Sequence, residues 1–494
     1  MEALFLFKYF YFEFMKKLFL FLIPSLLFAF DLTVHKEVLD NGLTVLLYPN
    51  TQVATVSCRL FYATGSVHEV PGSSGLAHML EHELFKGTKK VGILDSIQDA
   101  KFLKEQDSLQ FLMRNSLLKG DSLEALRLKA EHDSVLTEHR KIFVKDELWS
   151  AYQAAGGTGL NAFTSDLMTA YIVTLPKNKM ELFLWLEADR MQNAVLREFY
   201  SERDVVREER RMRYENRPTG RFYETLNSMI YEAFPYRIPT IGWASDIENY
   251  TREKAEEHYQ KYYKPRNAIL TLAGNLDTAV TMKMVKKYFA AIAPGEELPA
   301  LTIRDPEQVG EKRLTVSRED APNLFVMAFK TKEVGDSSLY ALDIAEGVLN
   351  GRSGRLYKRL VEEEQLAVWA RARNSPNKYV SEFSIQAELK PEADFQKVEK
   401  IIWEELDKLK KESLVQRDFE KVKNRAYASL VRSLTDMENV ATMLAWYEMF
   451  GDYRIFLNWA KVLEQVSPDE VKAVAQNTFL KNQATIGILK KGAF

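Results

Sequence analysis

The run Gly75-Leu76-Ala77-His78-Met79-Leu80-Glu81-His82, with Phe85-Lys86-Gly87-Thr88 just beyond it, sets two imidazoles and a carboxylate within one helical turn. On a helix, side chains four apart lie one above the other, so His78 and His82 can direct two nitrogens at one ion. Glu81 falls on the same arc but is offset from that pair, near enough to take a proton from water activated by the ion. Nitrogen donors at this spacing favour zinc, one ion per chain, and a catalytic zinc needs a third protein ligand and an open position. The chain has only seven histidines, so composition alone does not account for the cluster. The bland alternative is a surface helix with two solvated histidines beside an unrelated glutamate.

The third ligand should be acidic, and Glu202-Arg203-Asp204-Val205-Val206-Arg207-Glu208-Glu209 offers candidates. The stretch reads as a helix on which Glu202 and Glu209, two turns apart, share one face. On the residues alone either glutamate can serve. The competing reading is a solvated charged face within Arg197 to Arg213.

These side chains need a scaffold. Val38 to Leu47 and Val53 to Tyr62 alternate apolar and polar residues around Asn41-Gly42 and Asn50, which reads as paired strands leading into the His78 helix. From about Ile93 to Tyr152, leucines recur at helical intervals among charges, and Lys119-Gly120-Asp121-Ser122 supplies a stop and a new cap, giving a helical hairpin. Gly156 to Ser165 and Thr169 to Leu175 read as a loop leading into a strand. The second half looks like a decayed copy of the first. Ser73 to Gly87 overlays Ser337 to Gly351 without a gap, setting Leu342 opposite His78, Ala345 opposite Glu81 and Glu346 opposite His82, so the copy cannot bind metal in the same way. Asn482 to Leu489 reads as its closing strand, and Ala293 to Pro299 as the linker between the halves.

Composition fits a large hydrolase with its own core: 494 residues, 46% hydrophobic, 28% charged and a net charge of −2. Two or more domains are expected at this length. The near-neutral charge gives no reason to propose nucleic acid or an anionic membrane surface as a partner. The single cysteine, Cys58, rules out an intramolecular disulfide and a thiolate zinc site, and reads as a small buried apolar residue. Met15-Lys16-Lys17, the apolar run Leu18 to Phe28 and Ala29 read as a secretory signal peptide, residues 1–29, with Met1 to Phe14 resembling an upstream extension and either Met1 or Met15 the initiator. The run is short for a membrane span, and no cysteine follows it to carry a lipid. The expected compartment is the bacterial periplasm or the cell exterior, with no stable membrane insertion after signal removal; an uncleaved anchor is the alternative.

Taken in order, Gly65 to Thr88, Gly156 to Ser165, Glu202 to Glu209 and Tyr262 to Leu276 resemble the pitrilysin/insulinase (M16) family of zinc peptidases, whose His-x-x-Glu-His order is that of the inverzincins. The resemblance covers nearly all of the chain after about residue 31. It implies an α+β fold of two similar domains, residues 30–292 and 306–494 about a linker at 293–305. Each would be a mostly antiparallel sheet packed with helices, the first with a helical hairpin insertion at about 93–152. That hairpin departs from the family's compact members and is either a wall, gate or subunit contact, or a plain solvated insertion. By the same resemblance His78, His82 and Glu209 are the zinc ligands, Glu202 orients a ligand, and Glu208 fails to keep the family spacing. Asn161 and Ala162 fall on the strand that borders the cleft and binds substrate backbone, where an exposed edge offers N–H and C=O groups to an extended peptide.

One family feature is missing. Members that act as single chains resemble one another in an Arg and a Tyr seven apart in the later domain, and the matching positions here are Val361 and Val368, which have no side-chain donor. The expectation is a zinc endopeptidase acting on peptides or short unfolded polypeptides, Glu81 serving as base, with a second M16-like subunit or a second copy as partner. The rivals are a non-catalytic structural or chaperone-like subunit of the same fold and a zinc hydrolase of small-molecule amides or esters.

Overall fold

The computed structural model describes residues 33–492. The signal-peptide reading of residues 1–29 lies outside them. Eleven strands in these residues form two sheets. The first takes β1 (His35–Val38), β2 (Thr44–Pro49), β3 (Thr55–Tyr62), β4 (Thr158–Thr164), β5 (Thr169–Pro176) and β6 (Ala268–Gly274) in the order β1-β2-β6-β3-β5-β4. The second takes β7 (Lys312–Arg318), β8 (Asn323–Thr331), β9 (Ala367–Ser375), β10 (Ser381–Leu389) and β11 (Thr485–Lys491) in the order β7-β11-β8-β10-β9. Mapping β2 to β6 onto β7 to β11 makes the two orders identical. Each sheet has a single parallel pair, β2 with β6 and β7 with β11, all other pairs being antiparallel. The internal copy and the mostly antiparallel α+β fold are therefore both present.

Two local expectations need correction. β1 and β2 do pair around Asn41-Gly42, but β2 and β3, on either side of Asn50, are not neighbours because β6 lies between them. Every residue of β6 is buried, and so apolar a strand is best satisfied with neighbours on both edges. Most of the Gly156–Ser165 run is not a loop but strand β4, whose register with β5 shifts between Thr158 and Asn161.

The helices follow the sheets. The first half contributes α1 (Leu76–Glu83), α2 (Ser96–Leu118), α3 (Ser122–His139), α4 (Glu147–Ala154), α5 (Met180–Asn193), α6 (Phe199–Arg210), α7 (Pro218–Ile230), α8 (Arg252–Tyr262) and α9 (Thr278–Phe289). The second adds α10 (Ser338–Leu349), α11 (Phe395–Lys411), α12 (Gln416–Leu434), α13 (Met437–Phe450), α14 (Arg454–Gln465) and α15 (Pro468–Thr478). Between Phe289 and Lys312 there is neither helix nor strand. No described helix is long and apolar enough to cross a membrane.

The halves hold each other through exchanged helices. Phe222, Leu226 and Ile230 of α7 share a buried cluster with Leu324 and Val326 of β8, while Val440, Ala441 and Leu444 of α13 lie in that cluster with Leu46, Phe61 and Ala273 of the first sheet. The contact is close enough to require glycine: a Cβ on Gly487 of β11 would fall 2.8 Å from Phe222 Cζ and 2.9 Å from Leu226 Cδ2.

α2 and α3 form the expected hairpin. Asp95 caps α2 by accepting from the Ile97 and Gln98 amides, and Asp121 caps α3 through the Glu124 amide. Its root is fixed by a buried polar knot. Asp99 accepts from His139 at 2.8 Å and from Arg197 at 2.8 Å, and Arg197 also donates to the Thr88 carbonyl at 2.6 Å. The hairpin is thus bolted to the segment that follows α1.

Candidate metal centre

α1 is placed by groups at both ends. Gly75 begins it at φ +89°, and a Cβ there would strike the Ile241 carbonyl at 2.4 Å, so the entry turn accepts only glycine. Glu69, from outside the helix, accepts from the Gly75 amide at 2.5 Å and the Ala77 amide at 2.8 Å, satisfying donors that the helix itself cannot. Burial pushes the Glu69 carboxyl up to about 7 against the pull of those two amides. At the other end the Tyr171 hydroxyl donates to the Leu80 carbonyl at 3.3 Å, and the buried Arg190 guanidinium lies over the Tyr171 ring while pairing with Glu187 at 2.5 Å.

α6 packs across α1 and brings its acidic face to the histidines. Glu209 Oε2 lies 3.8 Å from His78 Nε2 and 3.6 Å from His82 Nε2, and the three donor atoms fall within 4.8 Å of one another. These separations are too long for hydrogen bonds. The other carboxylate oxygen of Glu209 is held by Arg213 at 2.7 Å. Arg213 lies four residues beyond Glu209, one helical turn away, within the π-helical turn Arg211–Glu215 that extends α6. Glu208 is exposed and pairs with Arg211 at 3.0 Å. It is not part of the cluster.

Glu202 occupies the outer layer. It accepts from His82 Nδ1 at 3.0 Å and from Lys86 Nζ at 2.6 Å. A proton on Nδ1 leaves the His82 Nε2 lone pair facing Glu209. Burial opposes ionisation of Glu202, but the two donors prevail and hold its carboxyl down at about 2. His82 is raised above the usual histidine range although burial works against it, because Glu202 bonds to it and Glu209 and Glu81 lie near. His78 is pushed down to about 3 by burial, then by His82 and Arg213, so its ring is neutral and fit to bind a cation. His78 Nδ1 is buried without a partner, so packing alone fixes that ring.

Glu81 stands beside the cluster. Its Oε2 accepts from the Thr164 hydroxyl at 2.6 Å, and burial raises its carboxyl against the pull of that bond. A carboxylate with its proton affinity raised and one oxygen uncommitted suits general acid–base work.

The predicted site residues divide as follows. His78, His82 and Glu209 converge, Glu202 backs His82, and Glu81 adjoins them. Asn161, exposed, and Ala162, buried, sit on β4, an edge strand of the first sheet. Val361 lies in the π-helical turn Tyr357–Glu363, and Val368 is exposed on β9, an edge of the second sheet. Cys58 is buried, which pushes its thiol far up. Sequence reasoning missed Thr164, Lys86, Arg213 and Glu69. Lys86 stands one turn beyond His82 and Arg213 one turn beyond Glu209, so helical spacing could have found both, but no spacing rule says where a β4 hydroxyl or a loop glutamate will land.

In the copied half, Leu342 and Ala345 are buried, and Glu346 accepts from the Asn374 amide at 2.8 Å. One face of the duplicated fold thus holds two imidazoles and a carboxylate at ligand spacing, and the corresponding face holds a structural hydrogen bond. The fold is a two-domain one, and among the described residues His78, His82 and Glu209 form a group that could hold a metal ion.

Residues 44–100 match the family described as Insulinase (Peptidase family M16), and residues 249–426 match the Peptidase M16 inactive domain. The chain is 27% identical over 465 residues to a Helicobacter pylori protein named zinc protease PqqE, covering 92% of this chain and 93% of that one. It is 24% identical to a Bacillus subtilis protein named uncharacterized zinc protease YmxG, covering 93% of this chain and 99% of the relative. The crystal structure of a protease from Helicobacter pylori superposes with a TM-score of 0.78 at 26% identity, covering 93% of this chain and 99% of the other. The two matched segments, the relatives and the fold together support a pitrilysin/insulinase-type (M16) protease.

Proposed function

We propose that this chain is a zinc-dependent endopeptidase acting on peptides or short unfolded polypeptides, with His78, His82 and Glu209 as metal ligands. The observation that carries the reading is the convergence of two imidazole nitrogens and a carboxylate oxygen within 4.8 Å, none bonded to another, beside a carboxylate with one free oxygen. The donor set is the nitrogen and oxygen chemistry that zinc takes. Bound there, Zn²⁺ supplies a Lewis acid that activates water and polarises a carbonyl.

The remaining work falls to the chain. Glu81 takes the proton of the attacking water and returns it to the leaving amine. Glu202 keeps the His82 Nδ1 proton in place and Arg213 holds back one oxygen of Glu209, so both ligands present a single atom inward. The β4 edge, with Asn161 and Ala162, receives the substrate backbone as an added strand. The segment that matches the description "inactive domain", residues 249–426, begins in the first half, lies mostly in the second, and includes none of His78, Glu81, His82, Glu202 or Glu209.

The test is metal analysis together with cleavage of a quenched peptide, with and without a chelator. Glu81→Gln should retain zinc and lose hydrolysis, and His82→Ala should lose both. Substantial turnover by the Glu81→Gln protein would remove the base assignment. With Val361 and Val368 where an Arg and a Tyr bind substrate in single-chain relatives, the proposal extends to a second M16-like subunit or a second copy. Full activity from an isolated monomer in size-exclusion fractions defeats that extension. Export through Met15 to Ala29 to the periplasm or exterior is likewise proposed, and the mass of the mature chain tests it.

A further inference from the structure

The Thr164 hydroxyl is the one side-chain donor recorded on Glu81 among the described residues, at 2.6 Å. Its direction is settled by its surroundings. Glu81 in its working, ionised form has no proton to give, so Thr164 is the donor. The neighbouring Thr169 hydroxyl, 3.4 Å away, gives its own proton to the Thr64 carbonyl at 3.0 Å and so does not donate to Thr164, whose shorter contact is with Glu81. Thr164 is the last residue of β4 and is paired with Thr169 of β5 across the turn. Its backbone therefore moves with the strand that carries Asn161 and Ala162, while its hydroxyl grips the carboxylate of α1.

Building on the endopeptidase reading above, we propose that Thr164 is a positioning residue. It pins one oxygen of Glu81 so that the other faces the reacting water, and it ties the placement of Glu81 to the strand edge on which the substrate backbone lies. Seating of substrate and aim of the base are then set by one residue. A misplaced reacting group is costly: a shift of about 1 Å loses roughly a hundredfold in rate. Zinc ligation does not involve Thr164, so loss of its hydroxyl should leave the metal in place.

The experiment uses the full zinc-loaded protein and a quenched peptide. Thr164→Val keeps the shape and removes the hydroxyl, Thr164→Ala removes both, and Thr164→Ser keeps the hydroxyl on a smaller side chain. Expected are a fall in kcat of roughly 10- to 100-fold for Thr164→Val and Thr164→Ala, KM within about twofold, zinc content unchanged, and recovery to within about threefold of wild type in Thr164→Ser. Should Thr164→Val fail to fold, Thr164→Ala carries the comparison alone. An unchanged kcat, a loss as deep in Thr164→Ser as in Thr164→Val, or a rise in KM alone each overturns the assignment. A wild-type protein that binds zinc and cleaves no peptide fails differently: it removes the endopeptidase reading before any variant is compared.

Discussion

Glu202 touches no proposed metal atom, yet its removal should weaken zinc binding measurably. Its carboxylate accepts from His82 Nδ1 at 3.0 Å and from Lys86 at 2.6 Å, and those bonds hold its carboxyl at about 2. Against an ordinary glutamate near 4.5, that displacement corresponds to about 3 kcal/mol favouring the ionised form, reduced by screening because Glu202 is not fully sealed from solvent. Only the share transmitted through His82 bears on the metal. Loss of such a supporting carboxylate commonly costs 10- to 100-fold in affinity, about 1.4 to 2.7 kcal/mol. Glu202→Gln keeps an acceptor for Nδ1 and should fall near the lower figure. Glu202→Ala frees the ring and strands Lys86, and should approach the upper. Lys86→Met, which removes the anchor and leaves the carboxylate, should cost only a few-fold. Competition with a chromophoric chelator measures all three. If Glu202→Ala binds zinc within twofold of wild type, Glu202 does not support His82 and the outer layer described above has no role in ligation.

Two further predictions concern the scaffold. Gly487→Val drives a side chain into Phe222 and Leu226 and should destabilise by about 1–3 kcal/mol in denaturant titration, with Leu226→Ala recovering part of the loss; an unchanged midpoint means that α7 does not press on the second sheet. In the copied half, burial raises Asp343 to about 6 and Glu346 to about 7, so between pH 4 and 7 the folded chain keeps protons that the unfolded chain has released, and stability should fall as pH rises through that window, by up to about 3 kcal/mol per group before screening. Asp343→Asn with Glu346→Gln should flatten the slope of stability against pH, and a slope unchanged in the double variant refutes the assignment.

Much of the centre was legible because its chemistry is local. His78, Glu81 and His82 occupy one turn, so helical periodicity fixes their mutual placement before any tertiary contact forms. The spacing of Glu202 and Glu209 was equally readable as one helix face, but which glutamate meets the histidines depends on how α6 crosses α1, and only the resemblance chose Glu209. Thr164 and Glu69 were out of reach for the same reason, whereas Arg213, one turn beyond Glu209, was not. Thr164 comes from a strand end and Glu69 from a loop, and each finds its partner through the fold. The strands show a similar limit. Alternation located β2 and β3, but it carries no information on the late-arriving β6 that separates them. Gly156 to Ser165 looked like a loop because glycines mark turns and bulges alike.

The duplication explains why the two halves could diverge in chemistry without diverging in shape. In the first half, α1 presents His78, Glu81 and His82 toward an edge strand and α6. In the second, α10 presents Leu342 and Ala345 to the core, and the position matching His82 holds Glu346, bonded to the Asn374 amide of β9. Asp343 accepts from Asn374 and from Trp459, at 2.8 and 2.9 Å. The same helix-to-edge-strand junction that Thr164 and Glu81 form in one half is thus closed by backbone and side-chain bonds in the other. The first half leaves the histidine edges of its junction free of such bonds to one another, and the two halves are joined instead by the buried cluster that α7 and α13 share across them.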